Sequence, residues 1–206
     1  MGTALTSPVL PNHKVAIFRH GHAAPAEEDF HRYLSGRGTQ QAEALAKVIA
    51  AIPFSMVIPS SAPRAKHTAW IAMERATIPY RTVQTQASQF YCPDDEAERR
   101  AFWKFFESVP TRPYAGYLEI DQYGIIPRFQ AEMLLDWERT TGGGQSQGEY
   151  TAVFNHAIVS NMLAPALFPQ HAEAIGTIEL EPCDGILLTE STVWHYQHAS
   201  SQEVAF

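Results

Sequence analysis

Apolar positions along the chain follow two rhythms. Val15-Ala16-Ile17-Phe18 and Phe54 to Ile58 are short, nearly unbroken apolar runs, as expected for strands buried on both faces of a sheet. Between them, Ala42, Leu45, Ala46 and Ile49 recur at helical spacing. This predicts an amphipathic helix over Gln40 to Ala51, capped by Thr39 and ended by Pro53. Pro59-Ser60-Ser61-Ala62-Pro63 reads as a turn, Arg64 to Arg75 as a second helix, and Arg81 to Thr85 as a third strand. Strand and helix alternate, which favours a parallel sheet.

The rhythm changes after Pro93. Ala97 to Glu107, carrying Phe102, Trp103, Phe105 and Phe106, reads as a helix. A proline- and tyrosine-rich connector follows over Pro110 to Tyr123, then a helix over Pro127 to Arg139. Residues 93–140 are therefore expected to be a helical insertion on the core sheet, serving either as a lid over a site or as a layer that covers the sheet. Gly142-Gly143-Gly144 belongs to a connector and does not open a helix after a strand, so it is no nucleotide-binding fingerprint. Tyr150 to Phe154 reads as a strand and Ala157 to Leu167 as a helix. Thr177 to Leu180 and Gly185 to Thr189 read as two last strands paired in a hairpin. The expected fold is one three-layer α/β/α sandwich over residues 1–206, with a mostly parallel central sheet and the helical insertion.

Chemistry collects at the predicted strand ends. Arg19-His20-Gly21 follows the first strand, Ser60, Ser61 and Arg64 follow the second, and His156 follows the strand of Tyr150 to Phe154. Open parallel sheets place ligands at the carboxyl edge of their strands, so one sheet would bring these groups together. Two arginines, two histidines and a helix N-terminus suit a phosphoryl group: guanidinium groups and amides neutralise its oxygens, and a neutral imidazole attacks phosphorus.

Composition narrows the partners. The 206 residues carry a formal net charge of −7, which argues against a broad nucleic-acid footprint while leaving room for a small anion in a basic pocket. No apolar run is long enough to span a membrane, and Met1 to Asn12 lacks the basic start and apolar segment of a secretory signal. A cytoplasmic protein with no membrane partner is expected. Cys92 and Cys183, the two cysteines, are far apart and read as reduced thiols. The histidines outside the strand ends form no compact ligand set, so neither a metal nor another cofactor is expected.

Four segments resemble the histidine phosphatase superfamily, which includes the phosphoglycerate mutases. They are Val15-Ala16-Ile17-Phe18-Arg19-His20-Gly21, Leu34 to Ala42, Ser60 to Ala69, and Val153-Phe154-Asn155-His156. The opening, with His22-Ala23 and then Arg32 and Leu34-Ser35, is most similar to SixA-type phosphohistidine phosphatases. Asn155 departs from the glycine, serine or threonine usual before the second histidine. The resemblance implies a phosphoglycerate mutase-like fold and a metal-independent phosphatase. It implies His20 as the nucleophile that becomes a phosphohistidine, Arg19 and Arg64 as phosphate clamps, and His156 as the second histidine on the phosphoryl oxygens.

His22, Ser60 and Ser61 are further substrate-binding candidates. An acid to protonate the leaving group is sought first among Asp94, Asp95 and Glu96, then Glu119 and Asp121, although the first three equally suit a helix cap. The implied partner is a small phosphorylated substrate or a phosphohistidine-bearing protein. A mutase, a non-catalytic phosphate-binding protein and a histidine-based metal binder are the alternatives.

Overall fold

The computed structural model describes residues 13–79, 81–82, 90–107, 114–142, 148–198 and 204–205. The expected leader before His13, the continuation of the third strand past Thr82, and residues 143–147 of the glycine-rich connector lie outside them.

The chain runs β1 (Lys14–Arg19), α1 (Gly36–Ile49), β2 (Phe54–Pro59), α2 (Pro63–Ala76) and β3 (Arg81–Thr82). The insertion follows as α3 (Glu96–Glu107), α4 (Tyr114–Ile120) and α5 (Ile125–Thr141). β4 (Tyr150–Asn155), α6 (Ala157–Leu167), α7 (Ala172–Gly176), β5 (Gly185–Leu188), β6 (Val193–Tyr196) and β7 (Val204–Ala205) complete it. The strands form one sheet in the order β3-β2-β4-β1-β5-β6-β7. The first four are parallel neighbours, whereas β5 runs antiparallel to β1, β6 to β5 and β7 to β6. The sheet is thus mixed, and the expectation of a mostly parallel one holds only for its β3-to-β1 half. β6 runs antiparallel to β5 because the two are joined by a tight turn, tied by Thr189 and Thr192, instead of a crossover helix.

Alternation along the strands divides the core in two. Ala16 and Phe18 of β1 with Ala152 and Phe154 of β4 face Leu45 and Ile49 of α1 and Ala69 and Met73 of α2. Val15, Ile17, Ile58 and Val153 point to the other face, where Phe102, Phe129 and Trp137 of the insertion join Met162 and Leu163 of α6. The insertion helices therefore form an apolar layer over that face of the sheet. Helical spacing of Phe129, Met133 and Trp137 on α5 produces their burial there. No described helix is long and apolar enough to cross a membrane.

Three local expectations are corrected. α1 begins at Gly36, not Gln40, because Ser35 is its cap: the Ser35 hydroxyl accepts from the Gly38 amide. The stretch expected as a connector contains α4, which packs on α6 and α7. Thr177 to Leu180 is not a strand, because its carbonyls serve side chains instead of a ladder. Ile178 accepts from the Asn161 amide and Leu180 from the Arg19 guanidinium. The hairpin is β5–β6.

Candidate active site

The carboxyl ends of β1, β2 and β4 converge, and main-chain bonds weld them. The His20 amide donates to the Asn155 carbonyl at 2.8 Å, and the Ser60 amide to the Phe154 carbonyl at 2.8 Å. Arg19, His20, Ser60 and His156 thereby leave adjacent strands at one edge, and Pro63 starts α2 so that Arg64 stands in its first turn. Gly21 is held against α1. A Cβ at Gly21 would stand 2.7 Å from the Gly38 carbonyl oxygen, and one at Gly38 would stand 2.1 Å from that of His22. Only two glycines allow this backbone approach. The Gly21 amide also donates to Thr68 Oγ1 at 3.0 Å.

This anchoring fixes the proton on His20. Its Nδ1 lies 2.7 Å from the Gly21 carbonyl oxygen, which can only accept, so Nδ1 carries the hydrogen. Nε2 is left with its lone pair, and Arg64 Nε donates to it at 3.1 Å. Burial, opposed by the Gly21 carbonyl and reinforced by Arg64 and Arg19, pushes the His20 pKa down to about 3. The imidazole is neutral at ordinary pH, as a nucleophile must be.

His156 caps the start of α6, and its ring stands edge-on to His20 with centroids 4.9 Å apart. Arg64 Nη2 lies 3.3 Å from Nδ1 and Ser60 Oγ lies 3.0 Å from Nε2. Because arginine can only donate, Nδ1 accepts and the hydrogen is on Nε2, facing Ser60. Burial, with His20 and the two arginines, holds its pKa well below the usual value. Asn155 accepts the His156 amide through its own Oδ1 at 2.8 Å.

Arg19 is anchored by donation to the Leu180 carbonyl, while its buried Nε has no hydrogen-bond partner among the described residues. Ser61 Oγ is likewise buried without a partner among them. His22 turns elsewhere: its ring bonds Ser35 Oγ at 2.8 Å and its amide donates to Gln41. The structure thus brings together His20, Arg64, His156 and Ser60, with Arg19 beside them, and directs His22 to the α1 cap.

The three first-choice acids are exposed at the start of α3. Asp95 Oδ1 accepts from the Ala97 and Glu98 amides at 2.9 Å each and so caps that helix. Glu96 pairs with Arg100 along the same helix. Asp121 caps α5 through the Ile125 and Ile126 amides. The carboxylate beside Arg64 is instead Asp29, whose Oδ2 is 2.6 Å from Arg64 Nη2 and 2.8 Å from the Tyr91 hydroxyl. These bonds, with one from Arg32, hold the Asp29 pKa below its ordinary value against the opposing effect of burial.

Tyr91 itself packs edge-on to His156 at 5.0 Å and against Trp103 of α3, which links the insertion to the site. Sequence reasoning missed Asp29, Tyr91 and Thr68. Asp29 lay in view as an i, i+3 partner of Arg32 in the loop after His20.

Residues 15–85, which include His20 and Arg64, match the family model of the histidine phosphatase superfamily (branch 1). The resemblance to that superfamily is borne out. Solved structures extend the likeness over nearly the whole chain. The protein histidine phosphatase SixA, in a complex with tungstate, is 18% identical over 92% of this chain and 99% of its own, with a TM-score of 0.57. Phosphoglycerate mutase from Bacillus anthracis is 13% identical over 95% of this chain and 93% of its own, with a TM-score of 0.56. A mycobacterial glucosyl-3-phosphoglycerate phosphatase is 17% identical over 85% of this chain and 89% of its own, with a TM-score of 0.52. At these identities the likeness is one of fold, and the α/β fold is that of the phosphoglycerate mutase-like proteins. No curated protein matches the chain.

Proposed function

We propose that this chain is a metal-independent phosphatase that works through a phosphohistidine on His20. The observation that carries the reading is the pinned His20 tautomer: Nδ1 donates to Gly21, so the Nε2 lone pair faces the Arg64 guanidinium. A phosphoryl group that takes over the Arg64 Nε donor would free that lone pair and lie in front of it. His20 Nε2 forms a bond to phosphorus as the bond to the leaving group breaks. Arg19, Arg64 and His156, with Ser60 behind His156, carry the charge on the transferring oxygens. Water then attacks the phosphohistidine, releasing phosphate and restoring the neutral imidazole.

A small phosphomonoester and a protein phosphohistidine both fit this chemistry. Aryl and imidazole leaving groups suit it best, because Asp95 and Asp121 already serve as helix caps.

The test is turnover of an aryl phosphate without added metal across about pH 4 to 8, beside His20→Ala. The wild type is expected to release phosphate, and the variant to lose about a thousandfold or more. Full activity in His20→Ala would falsify the mechanism, and phosphorylated isomer without free phosphate would point to a mutase.

A further inference from the structure

Arg64 is the group on which the proposed phosphate chemistry turns, yet four of its five N–H donors already have acceptors. The side chain is 4% exposed. Nε donates to His20, Nη1 to the Asp29 main-chain carbonyl, and Nη2 to the Asp29 carboxylate and toward His156 Nδ1. Asp29 thus presents Arg64 with two oxygens, one of them anionic, which is what a phosphoryl group would present. A guanidinium has five N–H donors, so a phosphate taking two of them must displace an existing acceptor.

The acceptors differ in how they are held. His20 and His156 are fixed by the strand ends and by the Gly21 and Ser60 contacts. Asp29 sits in a single 3-10 turn, Asp29–His31, on the loop after His20, and its side chain, which also accepts from the Tyr91 hydroxyl at 2.8 Å, is 45% exposed. It also has a second cation at hand: Arg32 Nη1 donates to Oδ1 at 3.0 Å, and Arg32 Nε anchors on the Ala24 carbonyl at 3.1 Å. On leaving Arg64 the carboxylate keeps an ion pair and open access to water.

We propose that Asp29 is a resident anion of the phosphate pocket, which a phosphoryl group must displace from Arg64 before it can reach His20. The inference rests on the reading of this pocket as a phosphate site. It makes Asp29 an affinity-setting residue that opposes weak or singly charged anions, and it assigns the loop after β1 a displacement when phosphate enters.

The experiment is a calorimetric titration of inorganic phosphate into the wild type, Asp29→Asn, Asp29→Ala and Glu28→Gln. Glu28 is the control: it is adjacent, carries the same charge and, among the described residues, pairs with exposed His31 at 3.0 Å. Both Asp29 variants are expected to bind phosphate about tenfold tighter, and Glu28→Gln within about twofold of wild type. Binding by the Asp29 variants but not by the wild type would support the proposal equally.

Unchanged or weaker binding in both Asp29 variants, with the wild type binding, overturns the proposal alone: Asp29 would then hold Arg64 in place for phosphate. An equal gain in Glu28→Gln also overturns it, as a general charge effect. Absence of phosphate binding in every folded form overturns the proposal together with the phosphate-site reading. Folding of each variant is read from its thermal melt, and a gain in either Asp29 variant suffices if the other does not fold.

Discussion

Residues 15–85 and the insertion helices α3 to α5 solve different problems with different residues. The first stretch matches the superfamily model and holds His20 and Arg64 at strand ends. It spends small residues where elements must touch: Gly21 against Gly38, and Ala65, Ala69 and Ala72 on the buried face of α2. The insertion spends bulk instead, stacking Phe102 on Trp103, Phe106 and Phe129. Its one described link to the chemistry is the pair Trp103–Tyr91. Chemistry here depends on close approach of backbone, and coverage depends on apolar volume.

The contrast breaks if damage to the insertion costs chemistry directly. Phe129 is 1% exposed in the aromatic stack, and Phe129→Ala is expected to destabilise the fold by roughly 3–5 kcal/mol through transfer and cavity costs. A thermal or denaturant melt reads this, while turnover per folded molecule well below the transition stays within a few-fold of wild type.

A pH series sharpens the other side. Folded His20 titrates at about 3 against 6.5 for an exposed imidazole, so the unfolded chain takes up the proton first as pH falls. The group's contribution is full above about pH 6.5 and is lost as pH drops toward 3, in the same direction as His13 and His156. Melting midpoints taken between about pH 7 and 4 should fall less steeply in His20→Ala than in the wild type. Turnover should show no acid limb near pH 6.5 from the nucleophile.

The smallest effect is expected at Asp95. Its exchange for alanine removes the α3 cap, at about 1 kcal/mol of stability, and leaves kcat unchanged. A kcat loss of tenfold or more with an altered pH profile would instead make Asp95 the acid on the leaving group.

What could be read in the sequence follows the same division. Apolar runs, helical spacing and polar strand ends are local patterns, and they placed β1, β2, β4 and the grouping of His20, Arg64 and His156. The pairing of Asp29 with Arg32 is a local signal, but its contacts with Arg64 and Tyr91, 35 and 62 residues away, are encoded by no local pattern. Thr177 to Leu180 misled for a related reason. Buried Ile178 and Leu180 look like a strand, and the use of their carbonyls by Asn161 and Arg19 is a tertiary fact. The extent of the antiparallel half was missed because strand direction depends on the connection between strands, which apolar runs do not record.

The bond from His20 Nδ1 to the carbonyl of its own neighbour has a wider consequence. A group that sets the tautomer from a side chain can be lost by one codon change. Here the setting atom belongs to the main chain, which every residue at position 21 would supply. What substitution can damage is only the room around that loop, guarded by Gly21 and Gly38. The His20 tautomer is thus set by the main chain, independently of any side chain that substitution could remove.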